Sequence, residues 1–276
     1  MKIAECELLI PSAIARFNET MHRDFIPEVI LLGKASTRPG SKRSIVFQLC
    51  GDEEFEYAKT TKGEMIYGTK RNAILMYPFE ITCKAEFEEV LYHELGHLLT
   101  YTDNHNLYET LKAVTSIEDE HGEACFGSKL WFEFVAQAIS NFVADREPSI
   151  YTGKKQYELL CELQMALPGL GNKTNKDVAF MIQNEIEVNP YDLAHDFALL
   201  LTDPTIDYMI ENKPEYSIGF DLCSDREAVC LDEIAGCLQK QLNKEQFWVV
   251  TEDFLAELGY MISDLWNVRL LEKMKM

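Results

Sequence analysis

The sequence predicts an α+β protein, a small twisted sheet near the N-terminus followed by helices that run to the chain's end, and three observations carry that expectation. Short β-rich runs, among them Val29-Ile30-Leu31-Leu32 and Ala73-Ile74-Leu75-Met76-Tyr77, occur only ahead of Pro78. Beyond it the apolar residues recur at helical spacing. No run approaches the roughly 20 apolar residues needed to span a bilayer.

Taken in order, residues 8 to 23 form the expected opening helix, with Pro11 near its start and Ile14, Phe17 and Met21 on one face. Four strands are then expected, at Val29–Leu32, Ser44–Leu49, Met65–Tyr67 and Ala73–Tyr77, separated by Gly, Pro, Asp and Lys segments. Pro78 stops the last of them, and shortly after it the chain enters a helix with Phe87, Val90, Leu91, Leu95, Leu98 and Leu99 on a broad apolar face. A polar loop is expected at 101–106 and a helix near 107–118. From Lys129 to Asp145 the residues are apolar nearly all round, which marks a buried helix. Beyond Pro148 helices are expected at 154–167, 174–187, 190–202, 205–211, 222–241, 245–261 and 263–274, with Pro168-Gly169-Leu170-Gly171-Asn172-Lys173 the clearest break. This divides the chain into residues 1–148, with the sheet and the two central helices, and a helical region 149–276.

At 276 residues and 47% apolar composition there is ample core for one large domain or two modest ones. With 26 basic against 46 acidic side chains the net charge is −20, which argues against nucleic acid or an anionic membrane as a partner. The one basic cluster, Lys34, Arg38, Lys42 and Arg43 around Pro39-Gly40, reads as a solvated loop. The N-terminus has no apolar signal core, and the 8 cysteines form no CxxC pair, so reduced thiols and a cytoplasmic location are expected. Cys223, Cys230 and Cys237 recur every two helical turns and read as small buried hydrophobes on one stripe.

The sharpest feature is His93-Glu94-Leu95-Gly96-His97, an HExxH pattern on the helix ahead of Thr100. Residues four apart on a helix lie one above the other, so both imidazoles can converge on one ion. Zn2+ suits such a pair, with Glu94 beside the ion as a general base rather than a ligand. A catalytic zinc usually has three protein ligands and keeps one position for water. Glu133, on the buried helix, is a costly carboxylate unless a cation balances it, which makes it one candidate for the third ligand. Asp103, six residues past His97, competes, as do His105 and His121. Tyr191 and His195, four apart on an expected helix, are one candidate pair for stabilising an oxyanion.

The HELGH motif followed by Glu133 resembles the gluzincin arrangement of HExxH zinc metallopeptidases, in which a second helix supplies a glutamate ligand. The resemblance covers roughly residues 60–145 and implies a zincin-like N-terminal lobe. It also implies zinc-dependent hydrolysis of a peptide or protein substrate, and β-addition of that substrate along Asn72–Met76. Where thermolysin-like members place an aspartate four residues after the glutamate, this chain has Gln137, whose amide oxygen can still accept a histidine N–H. The metzincin pattern, which would use Asp103, has Thr100 where a glycine is needed for the turn. Two other readings stand beside this one. Peptide deformylase uses HExxH with an upstream cysteine, here Cys50, although Gly51-Asp52-Glu53-Glu54 after it is unlike the deformylase segment. A non-catalytic zinc-binding regulatory or interaction protein is the other, against which the general base Glu94 argues.

Overall fold

A computed structural model describes residues 1–33, 62–68, 72–114, 120–144, 190–202 and 225–274. The expected strand at 44–49, the helices at 154–167, 174–187 and 205–211 and the break at 168–173 lie outside those residues. So do the basic cluster around Pro39, Cys50, Cys223 and the boundary at 148. The described elements are mostly helical with one small mixed sheet, which bears out the α+β class. No described helix is long and apolar enough to cross a membrane.

By their contacts the residues fall into two compact units, Met1–Leu99 with Ile139–Asp145, and Thr100–Ala138 with Arg146–Met276. The first opens with α1, Ile3–Met21, which buries Cys6, Ala13, Phe17 and Met21. It begins five residues earlier than the pattern from residue 8 suggests, and Pro11 lies inside it. Pro11 is exposed, and the buried stripe already starts at Cys6, so packing carries the helix through a residue that lacks the N–H to continue it. The helix ends at His22 in the left-handed region, φ 52°, where Asn18 ties down the chain by donating to Phe25 O at 2.9 Å and accepting from Phe25 N at 3.0 Å.

Strands β1 (Glu28–Leu31), β2 (Gly63–Ile66) and β3 (Ala73–Met76) form a sheet of order β1-β3-β2. β3 pairs parallel with β1, Glu28 opposite Ala73, and antiparallel with β2, Gly63 opposite Met76. The expectation that Asn72–Met76 offers an edge to a substrate is therefore wrong: β3 is the central strand, and all four of its residues are buried. Leu32, Ile66, Ala73, Leu75 and Tyr77 make a core cluster flanked by Ile30 and Phe79.

A short 3-10 turn, Pro78–Glu80, leads into α2, Lys84–Asp103. Glu86 in its first turn accepts from Thr82 N at 2.7 Å and Thr82 Oγ1 at 2.6 Å, and pairs with Lys62 at the start of β2. These bonds satisfy backbone groups a helix start leaves open. Phe87, Leu91, Leu95 and Leu99 are fully buried at four-residue spacing. The last turns of the later helix α4, Gly122–Ala144, also belong here, and Ser140 Oγ donates to Glu89 O at 2.9 Å.

The second unit holds the end of α2, α3 (His105–Lys112), most of α4, α5 (Pro190–Thr202), α6 (Asp225–Leu242) and α7 (Glu252–Met274). Two corrections arise here. The expected loop at 101–106 is helix up to Asp103, with the break confined to Asn104. Helices expected at 245–261 and 263–274 are one, α7, because Leu255, Leu258, Ile262 and Leu265 carry a single buried stripe through Ser263. Helix α4 starts seven residues before Lys129, and Gly127 lies within it. A Cβ on Gly127 would stand 1.9 Å from Leu255 O, and one on Gly259 2.1 Å from Glu123 O, so α4 and α7 cross with their backbones touching. Cys230 and Cys237 are half-buried free thiols on α6, both pushed up by burial.

Candidate metal centre

Helix α2 carries His93, Glu94 and His97 where its apolar stripe is most regular. Leu91, Leu95 and Leu99 face the core, which leaves His93 and His97 on the adjoining stripe, both half-buried. The two Nε2 atoms are 3.0 Å apart and the rings meet edge to face with centroids at 4.7 Å. Helix α4 supplies Glu133, half-buried between Phe132 and the fully buried Phe134. One ligand atom each from His93, His97 and Glu133 lies within 4.8 Å of the others. Among the described residues this is the group of three or more His, Cys, Asp or Glu that can hold a metal ion.

On α4 Ser140 is two turns beyond Glu133, on α2 Glu89 is one turn before His93, and Ser140 Oγ bonds to Glu89 O. Gln137 lies between Glu133 and Ser140 on α4.

Glu94 is 6% exposed and its side chain lies against β2. A Cβ on Gly63 in that strand would be 3.0 Å from Glu94 Oε1. Farther along, Tyr67 OH donates to His97 O at 3.4 Å. Neither residue stands out in the sequence, where Gly63 reads as a separator between strands. The available signal is that a glycine within a β-rich run marks close approach of another backbone or side chain.

The rival ligands are elsewhere. Asp103 Oδ2 accepts the indole N–H of Trp248 at 2.7 Å. His105 is exposed and meets Tyr101 edge-on, ring centroids 5.1 Å apart. His121 shares a hydrogen bond with Glu252, which raises its pKa. Tyr191, on α5, has its phenol pushed up first by burial and next by the charge of Glu133. The side chain of His195 is outside the described ones.

No family model, curated protein or solved structure matches the chain.

Proposed function

We propose that this protein is a zinc-dependent metallopeptidase of the gluzincin type, with His93, His97 and Glu133 as metal ligands and Glu94 as general base. The observation that carries the reading is the convergence of a carboxylate from α4 on the two imidazoles of α2. A 3.0 Å separation alone is also that of an imidazole–imidazole hydrogen bond. The third donor distinguishes the site. Two nitrogens at roughly 2.0–2.1 Å from a tetrahedral zinc stand about 3.3 Å apart, close to the spacing found. Two imidazoles and one carboxylate are also a donor set zinc accepts while leaving a position for water.

When zinc is bound, the chemistry it supplies is polarisation of the scissile carbonyl and acidification of a water from a pKa of about 15.7 towards roughly 7. The chain's own groups do the rest. The His–His–Glu set holds the ion, and the buried Glu94 carboxylate takes the proton of the attacking water and passes it to the leaving amine nitrogen. The substrate on this reading is a peptide or protein. A zinc-stabilised scaffold without activity is the second reading, and the burial of Glu94 is the observation in its favour.

The deciding experiment pairs wild type with Glu94→Gln on a peptide library, with chelator-treated protein as control. The amide keeps the shape of the side chain and both histidines remain, so zinc stays bound while hydrolysis falls by roughly 10²–10⁴-fold. Loss of zinc together with activity would make Glu94 structural, and a zinc-loaded wild type that cleaves nothing would favour the scaffold.

A further inference from the structure

We infer that Gly63 is a positioning residue for Glu94, its bare backbone forming the floor on which the carboxylate rests; the inference builds on the proposed role of Glu94 as general base. Gly63 has an ordinary backbone conformation open to any residue, so torsional freedom is not what it supplies. Inside a strand a glycine weakens the ladder and leaves nothing to pack, which makes its place in β2 costly unless space demands it. Space does demand it. A Cβ would stand 2.6 Å from Val90 Cγ1 and 3.0 Å from both Cγ and Oε1 of Glu94. By contrast a Cβ on Gly236 would meet nothing within 4 Å, and one on Gly33 only Ile3 Cδ1 at 3.7 Å.

What would yield to an added methyl group follows from how each neighbour is held. β2 is fixed in register against β3, and Tyr77 N donates to Lys62 O at 2.9 Å beside Gly63. Lys62 is further paired with Glu86, and Tyr67 reaches His97 O beyond the strand's other end. The strand is thus tied on both sides of Gly63. Val90 is β-branched on a helix, where one χ1 rotamer dominates. The contact with Val90 is the tighter one and takes up part of the strain, while Glu94, with three side-chain torsions, gives at its carboxylate. Misplacement by about 1 Å costs about 10²-fold in rate, so a smaller displacement of the base is expected to cost several-fold.

The test is a double-mutant cycle in the full chain. Gly63→Ala is expected to keep its zinc and its KM while kcat falls several-fold, below the roughly 10²-fold of a misplacement of about 1 Å, and to cause no further loss in a Glu94→Gln background. Gly236→Ala, in open space, is the control and leaves kcat unchanged. A second cycle reads the contact without activity: the drop in thermal midpoint on Gly63→Ala is expected to be partly recovered when Glu94 is also made Ala, the remainder belonging to the contact with Val90. Additive losses in either cycle overturn the inference, since they would mean that Gly63 acts through something other than Glu94. If the wild type hydrolyses nothing, the reading of Glu94 as a base fails, and the stability cycle still decides whether Gly63 sets the carboxylate.

Discussion

Helix α2 bears two polar clusters of opposite character. At its C-terminal end Asp103 accepts the Trp248 indole N–H at 2.7 Å. Asn104 next to it donates to Thr100 O at 2.8 Å and Trp248 O at 2.9 Å, and accepts from Val250 N at 3.0 Å. These bonds go to backbone or to an indole, and they fasten the segment before α7 to the end of α2. One to three turns earlier, His93 and His97 turn their Nε2 atoms toward each other and toward a carboxylate from another helix. The first cluster ties backbone and side chains together, whereas the second brings three atoms of the kind that ligate a metal within 4.8 Å of one another, as the proposed cation site requires. Chemical type does not separate the two, since each contains a carboxylate; geometry does.

The contrast has consequences that metal titration measures most strongly. Removing a carboxylate ligand, Glu133→Ala, is expected to weaken zinc binding by more than the 10–100-fold that loss of an outer-shell partner commonly costs, and His93→Ala or His97→Ala to do at least as much. Asp103→Ala should leave zinc affinity where it was. The reverse order would move the third ligand to Asp103 and erase the distinction between the two clusters. Next in size is the structural cluster. Asn104→Ala removes its three side-chain hydrogen bonds, with Thr100 O, Trp248 O and the half-buried Val250 N–H, and is expected to cost about 1–3 kcal/mol in urea unfolding, with zinc affinity of the folded protein unchanged. An equal loss of zinc would join the two clusters into one.

The smallest effect belongs to the start of α2. Glu86 is held down at a pKa of about 2, first by its bond with Lys62 and then by those with Thr82. A folded value below the ordinary carboxylate one means that its contribution is present above about pH 4.5 and lost as pH falls through about 2. Lys62 is about half exposed, so solvent screening limits that contribution to about 1 kcal/mol. Glu86→Gln is therefore expected to lower stability by about that amount at pH 7 and by nothing at pH 2. A difference that persists at pH 2 would mean that Glu86 acts by packing instead.

The grouping of His93, His97 and Glu133 was more legible than the fold around it. Spacing put His93 and His97 on one face, and a lone carboxylate in an apolar helix pointed to Glu133, because both signals depend on chemistry that is costly to misplace. Strand order was less accessible: Ile74-Leu75-Met76 reads as a strand, and only its pairing on both sides shows it to be central. An unbroken apolar run of this kind marks a strand buried on both faces, and that signal was available. Thr102, Asp103 and Asn104 read as a loop from their turn preference, yet the buried amide of Asn104 takes its partners from Thr100 and Trp248, so the break shrinks to one residue. Gly63 was hidden for a plainer reason. Its neighbours come from a helix that follows it in sequence by more than twenty residues, and the local pattern records only that something approaches, not what.

The crossing of α4 and α7 at Gly127 and Gly259 also sets a timescale for amide exchange. With a would-be Cβ on Gly127 1.9 Å from Leu255 O, the two helices touch too closely for water to enter between them without parting them along their length. Amide hydrogens near that crossing are expected to exchange with deuterium mainly when the two helices separate, so the first half of α4 and the first half of α7 are expected to be protected together. Glu133 lies less than two turns from Gly127 and is expected to share that protection.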